Sequence, residues 1–189
     1  MTNRLDEKKI AILVAHGFEE VEFTEPRRAI EDAGGKTEVI STEDTDNVKS
    51  WNKDNWGSEY KIDKKVDSAL ASDYNGLLLP GGVMNPDRLR KNEKAVEFVK
   101  SFFKDGKPIG AICHGPWILI ETGALEGRKV TSYPSIKTDL ENAGAKWVDE
   151  EVVVDEGLVT SRKPDDIPAF NRKLVEEYAE GVHEDQKTV

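Results

Sequence analysis

Cys113, His114, the pair Gly81-Gly82 and Glu19 are the residues whose types and spacing could carry out a reaction together. Cys113 is the only cysteine in the chain. It ends the apolar run Pro108-Ile109-Gly110-Ala111-Ile112 and is followed by His114-Gly115-Pro116, then by the helix-compatible stretch Trp117-Ile118-Leu119-Ile120-Glu121. A sulfur so placed sits on a tight strand-to-helix turn. The unpaired N–H groups and positive end of the following helix are expected to favour thiolate over thiol. A thiolate attacks carbonyl carbon, and such chemistry needs a base and a cradle for the developing oxyanion. His114 is the candidate base or counter-ion. Gly81-Gly82 lacks side chains, so its backbone N–H groups can approach a ligand and form an oxyanion hole with the N–H after the thiol. Glu19, in His16-Gly17-Phe18-Glu19-Glu20, can hydrogen-bond to the sulfur or to an oxygen on an oxidised sulfur.

Each feature alone has a plain structural reading. A lone cysteine at a strand end packs as a small apolar group, a Gly-Gly pair makes a turn, and a glutamate at a helix start is a solvated dipole partner. Trp51 and Trp56 read as loop anchors. The case for chemistry rests on the elements that bring the segments together. Residues 10–15 and 76–80 are continuous apolar runs, as in strands covered on both faces, and 108–112 and 37–41 also read as strands. Between them lie helical patterns over 23–33, stopped by Gly34-Gly35, and over 92–104, capped by Asn92. Further along come a strand at 129–131, a helix over 135–143 and a hairpin pairing 152–154 with 158–160 across Asp155-Glu156-Gly157. A closing helix spans 165–181, and the polar tail from Val182 is expected to fray. Residues 43–65 form a polar excursion long enough to suggest a functional loop. Alternating strands and helices predict an α/β fold with a mostly parallel sheet and helices on both faces. The segments after residues 15, 80 and 112 then meet at one crevice, beyond the carboxyl ends of the strands.

Composition narrows the partners. The 189 residues, 37% hydrophobic and 34% charged, suit one domain with a core at about 9–181 and polar tails at both ends. A net charge of −10 argues against nucleic-acid binding. No apolar run approaches the roughly 20 residues of a membrane span. The polar start, Met1 to Lys9, has no signal-peptide core, so the cytoplasm is the expected address. One cysteine and three histidines (His16, His114, His183) leave few metal ligands, and the reading assigns neither metal nor cofactor.

The stretches Phe18-Glu19-Glu20-Val21-Glu22, Leu78-Leu79-Pro80-Gly81-Gly82, Asn92-Glu93-Lys94-Ala95-Val96, Ala111-Ile112-Cys113-His114-Gly115-Pro116 and Thr131-Ser132-Tyr133-Pro134 occur in that order. On these the chain resembles the PfpI (intracellular protease I) family. That family lies within the superfamily of the Parkinson's-disease deglycase and the class I glutamine amidotransferase-like domains. The resemblance implies a flavodoxin-like three-layer sandwich with a small β-hairpin, and Cys113 as reactive thiol on a strained elbow. It makes Glu19 the carboxylate touching the sulfur and His114 the adjacent imidazole. It also implies a homo-oligomer, at least a dimer, with the site near the interface. A neighbouring subunit would supply the acid that orients the histidine, at the position of Asp87, where the family more often has Glu. The related glutaminases need a histidine two residues before an acid, far downstream of the cysteine. No histidine lies between His114 and His183, so glutaminase activity is rejected. The expected function is a stress-response cysteine hydrolase acting on small carbonyl compounds or glycated protein, deglycase- or glyoxalase-like. The alternatives are an intracellular cysteine peptidase and a non-catalytic redox sensor or chaperone-like protein.

Overall fold

The computed structural model describes residues 4–186 and 188–189. Strand β1 (Lys9–Val14) lies centrally, with β3 (Lys36–Ser41) on one side and β7 (Gly76–Leu79) on the other. Between β1 and β3 run the short β2 (Phe18–Glu19) and helix α1 (Glu20–Asp32). An excursion then carries β4 (Asn47–Asn52), β5 (Asn55–Lys61) and the short β6 (Lys64–Lys65) before β7. Helices α2 (Met84–Arg90) and α3 (Glu93–Lys104) cross from β7 to β8 (Ile109–Ile112). Beyond it come β9 (Lys129–Val130), α4 (Lys137–Asn142), β10 (Lys146–Trp147), β11 (Val152–Asp155), β12 (Leu158–Ser161) and α5 (Ile167–Glu180). The seven-stranded main sheet has the order β11-β12-β8-β7-β1-β3-β6, parallel throughout except for the β11–β12 hairpin at one edge. This is a flavodoxin-like α/β sandwich.

The strand sequences explain the three layers. Successive side chains of a strand point to opposite faces, and in β1 both sets are apolar. Ala11 and Leu13 join Leu77, Leu79, Phe98, Phe102 and Phe103 on the α3 side. Ile10, Ile12 and Val14 join Leu78, Phe170, Leu174 and Tyr178 on the α1 and α5 side. Asn92 caps α3 as its sequence predicts, its side chain accepting from the Ala95 N–H. No helix among the described residues is long and apolar enough to cross a membrane.

Three local expectations are revised. The stretch after Cys113 is a 3-10 helix, Gly115–Thr122, rather than an α-helix. Lys129–Val130 pairs with Lys146–Trp147 in a separate two-stranded sheet. The polar tail has an anchor that its composition does not announce: Gln186 is fully buried, accepting from the Arg128 guanidinium and donating to the Lys107 carbonyl. Arg128 is itself a buried cation, and the Gln186 carboxamide accepts from it where an apolar side chain could not.

Candidate active site

Strand order reverses at β1 and β7, which places the segments after them side by side at the carboxyl edge of the sheet, where open α/β folds bind ligands. A cavity of about 380 Å3 opens there, lined among others by Glu19, Glu22, Trp51, Gly82, Cys113 and Tyr133. The buried side chain of Asn85 fastens its floor. The carboxamide accepts the Ala15 N–H at 2.7 Å and donates to the carbonyls of Pro80 (2.9 Å) and Gly81 (3.2 Å), tying the end of β1 to the glycine pair.

Cys113 has φ of +62°, the left-handed region that a side chain rarely enters, with its N–H bonded to the Ser161 carbonyl and its carbonyl to the Tyr133 N–H. The elbow is strained, at a cost of about 1–2 kcal/mol for a residue bearing a Cβ. Cys113→Gly is therefore expected to be more stable than Cys113→Ala by about 0.5–1 kcal/mol after glycine's extra unfolded-chain entropy is deducted. Urea unfolding of the two variants measures this, and the ordinary ranking, with Ala ahead, would show that the elbow is relaxed.

The carboxyl against the sulfur is Glu22, and this corrects the assignment to Glu19. Glu22 lies in the first turn of α1, fully buried; its Oε2 accepts the Gly81 N–H at 3.0 Å, and the carboxyl hydrogen-bonds with the Cys113 side chain. Glu19 precedes the helix and lines the cavity half-buried, where it accepts from the Lys53 backbone; burial raises its pKa. A signal for Glu22 exists in the sequence: Glu22, Pro26 and Ile30 recur at four-residue spacing and form the buried stripe of α1.

Burial pushes the Glu22 carboxyl up to about 8, helped by the nearby charge of Glu19 and opposed by its hydrogen bonds. Its second oxygen, Oε1, is shielded from water and has no hydrogen-bond partner among the described residues, which suits a carboxyl that keeps its proton at neutral pH. The thiol moves in the direction opposite to the expectation from the helix end. Burial and the facing Glu22 push Cys113 well above the ordinary thiol range, while the N–H groups of Gly82 and His114 pull it down. Only 8% of Cys113 is exposed, and a short 3-10 turn does not outweigh that desolvation.

His114 Nδ1 stands 3.3 Å from Sγ, and its Nε2 lies 3.0 Å from the Ser135 hydroxyl. The ring stacks on Tyr133, and burial lowers its pKa, so it is neutral and able to take a proton. Of the glycine pair, Gly82 (φ +75°) aims its N–H at the sulfur, whereas the Gly81 N–H is spent on Glu22. The backbone N–H groups that face the sulfur are therefore those of Gly82 and His114, rather than those of both glycines. Asp87 is exposed on α2 beside Glu43, Arg88 and Lys91, outside the cavity of Cys113. The 43–65 excursion is a wall of the site. Glu20 accepts from Tyr60 Oη, the Ser58 N–H and Asn52 Nδ2, and so holds the β4–β5 hairpin with Trp51 against the cavity.

The chain matches the DJ-1/PfpI family over residues 8–177. It is 49% identical over 167 residues to "General stress protein 18" of Bacillus subtilis, covering 88% of this chain and 95% of that protein. It is 47% identical over 166 residues to "Putative cysteine protease YraA" of the same organism, with coverage of 88% and 95%. Among solved structures, a two-domain Anabaena variabilis protein with DJ-1/ThiJ/PfpI-like and ferritin-like domains superposes with a TM-score of 0.84 at 36% identity. That alignment covers 89% of this chain and only 47% of the longer protein. The fold, the strained cysteine elbow and these matches together place this chain in the DJ-1/PfpI family.

Proposed function

We propose that this protein is a cytoplasmic stress-protective cysteine hydrolase that acts on reactive aldehydes, 2-oxoaldehydes above all, and on their adducts with protein. The observation that carries the reading is the juxtaposition of Cys113 Sγ, a neutral imidazole at 3.3 Å and a buried carboxyl in one small cavity. Because burial keeps the thiol protonated, its activation accompanies attack. As Sγ bonds to the aldehyde carbon and the C=O π bond opens, the thiol proton passes to His114 Nδ1 and on to the new alkoxide. The product is a hemithioacetal, formed with no change of oxidation state. The N–H groups of Gly82 and His114 stabilise negative charge near the sulfur, and Glu22, keeping its proton, can hydrogen-bond to oxygen charge as it develops. For a 2-oxoaldehyde, the carbinol C–H proton then moves to the neighbouring carbonyl carbon and the carbinol O–H proton to that carbonyl's oxygen, which turns the hemithioacetal into the isomeric thioester of a 2-hydroxy acid. Water then cleaves it to a 2-hydroxy acid and returns the thiol.

The peptidase reading has less support, because Ser135 rather than an acid meets His114 Nε2 within the chain. It requires Asp87 to arrive from a second subunit of a homo-oligomer. The decisive experiment is methylglyoxal consumption by the purified protein and by Cys113→Ala. Turnover is expected in the first and only the buffer background in the second; retained turnover in Cys113→Ala overturns the reading.

A further inference from the structure

A second cluster of ligating side chains lies outside the cavity of Cys113, at the C-terminal end of α5. Glu177 and Glu180 are one turn apart on the helix, and the chain then turns through Gly181 (φ +92°) to bring His183 back toward them. One oxygen of each carboxyl and one imidazole nitrogen all lie within 4.8 Å of one another. His183 is held from two sides. Its N–H bonds to the Gly106 carbonyl at 2.8 Å, and its ring lies so close over Gly157 that a Cβ there would come within 2.8 Å of Cδ2.

Three observations point to a ligand. His183 Nε2 is shielded from solvent yet has no hydrogen-bond partner among the described residues: Glu177 Oε2 is 3.3 Å away without hydrogen-bond alignment. The Glu177 side chain is only 10% exposed, and among the described residues it has no ion-pair or hydrogen-bond partner apart from His183. Finally, the separations suit a cation. Bonds of about 2.0–2.1 Å in a tetrahedral site set neighbouring donor atoms about 3.4 Å apart. The Glu177–His183 edge already has that length, and the exposed side chain of Glu180 leaves the third corner open for entry. Two carboxylates and an imidazole are a donor set for divalent transition metals rather than for calcium or magnesium. Lys173, the nearest cation on the helix, is engaged by Glu176 at 2.6 Å.

We propose that Glu177, Glu180 and His183 bind one divalent transition-metal cation, which clasps the C-terminal segment to the end of α5. His183 lies beyond residues 8–177, the part of the chain that matches the family. The clasp is independent of the reaction at Cys113. The site departs from the expectation, drawn from the scarcity of histidines, that no metal is held.

The test uses the full chain carrying Cys113→Ser, so that the thiol cannot capture metal. The protein is stripped with a chelator and titrated with zinc chloride by calorimetry, with melting curves alongside. One zinc per chain with a saturating rise in Tm is expected. Glu180→Gln, at an exposed position and so neutral to folding, should weaken binding at least about tenfold, and His183→Ala about a hundredfold. Absence of saturable binding overturns the proposal and leaves an ordinary His–Glu pair. So does zinc binding that Glu180→Gln leaves unchanged, a result readable even if His183→Ala fails to fold.

Discussion

Glu22→Gln is expected to make the protein more stable than the parent at pH 8 and nearly equal to it at pH 5. The folded-state pKa of Glu22 is raised from 4.5 to about 8, chiefly by burial. Below the lower value the carboxyl is protonated in both folded and unfolded chains, and it contributes no pH dependence. Between the two values the unfolded chain releases the proton while the folded chain retains it, so stability falls as pH rises and levels off above the folded pKa. At 1.36 kcal/mol per unit, the difference between parent and variant should grow by about 3–4 kcal/mol from pH 5 to pH 8. Glutamine keeps the shape of the protonated acid and can still accept the Gly81 N–H through its carbonyl oxygen. Every other ionisable group is common to both proteins, so urea unfolding at the two pH values isolates this one. Parallel pH profiles would show that Glu22 ionises normally in the folded state.

Gly81→Ala is expected to be the most disruptive conservative change in the site. A Cβ at this position would come within 2.7 Å of both the Ile112 carbonyl oxygen and Cys113 Cβ, and would also collide with Glu22 Oε2. The first two cannot retreat, because Ile112 is in the sheet and Cys113 is pinned by backbone bonds at both ends. The loop must therefore move away, taking the Gly81 N–H from Glu22 and leaving a buried acid without its donor. Overpacking of about 1–3 kcal/mol and a lost buried hydrogen bond of about 1–3 kcal/mol together predict a loss of about 3 kcal/mol. Turnover per folded molecule should drop about 100-fold, since Gly82 moves with its neighbour and the N–H facing the sulfur is displaced. Gly127→Ala is the control. It has a φ of +74° but no atom of the described residues within 4 Å of the added carbon, so it should cost only about 1 kcal/mol of backbone strain. Equal losses in the two variants would mean that backbone conformation, not crowding at the thiol, accounts for the effect.

Much of the architecture can be read in the chain before any contact is known, because it depends on local patterns. The unbroken apolar runs at 10–15 and 76–79 dictate strands buried on both faces, the Asn92 cap starts α3, and alternation of strand and helix dictates a parallel sheet. With parallel strands, Cys113, Gly82 and the segment after β1 are expected at one edge of the sheet, and the adjacency of β1, β7 and β8 brings them together there. What local pattern could not decide is which of three nearby carboxylates reaches the sulfur. That depends on the angle at which α1 enters the molecule, and it turns Glu22 inward with Pro26 and Ile30, leaves Glu19 at the rim and gives Glu20 to the β4–β5 hairpin. Nor could sequence position set the protonation of Cys113. Desolvation is the summed effect of distant elements closing over the site, and it outweighs the short 3-10 turn that follows the thiol. The tail belongs to the same class: polar residues read as solvated until a buried arginine and two close-packed glycine turns give them partners. Period and capping are carried by neighbours along the chain, whereas burial, charge state and choice of partner are properties of the folded interior.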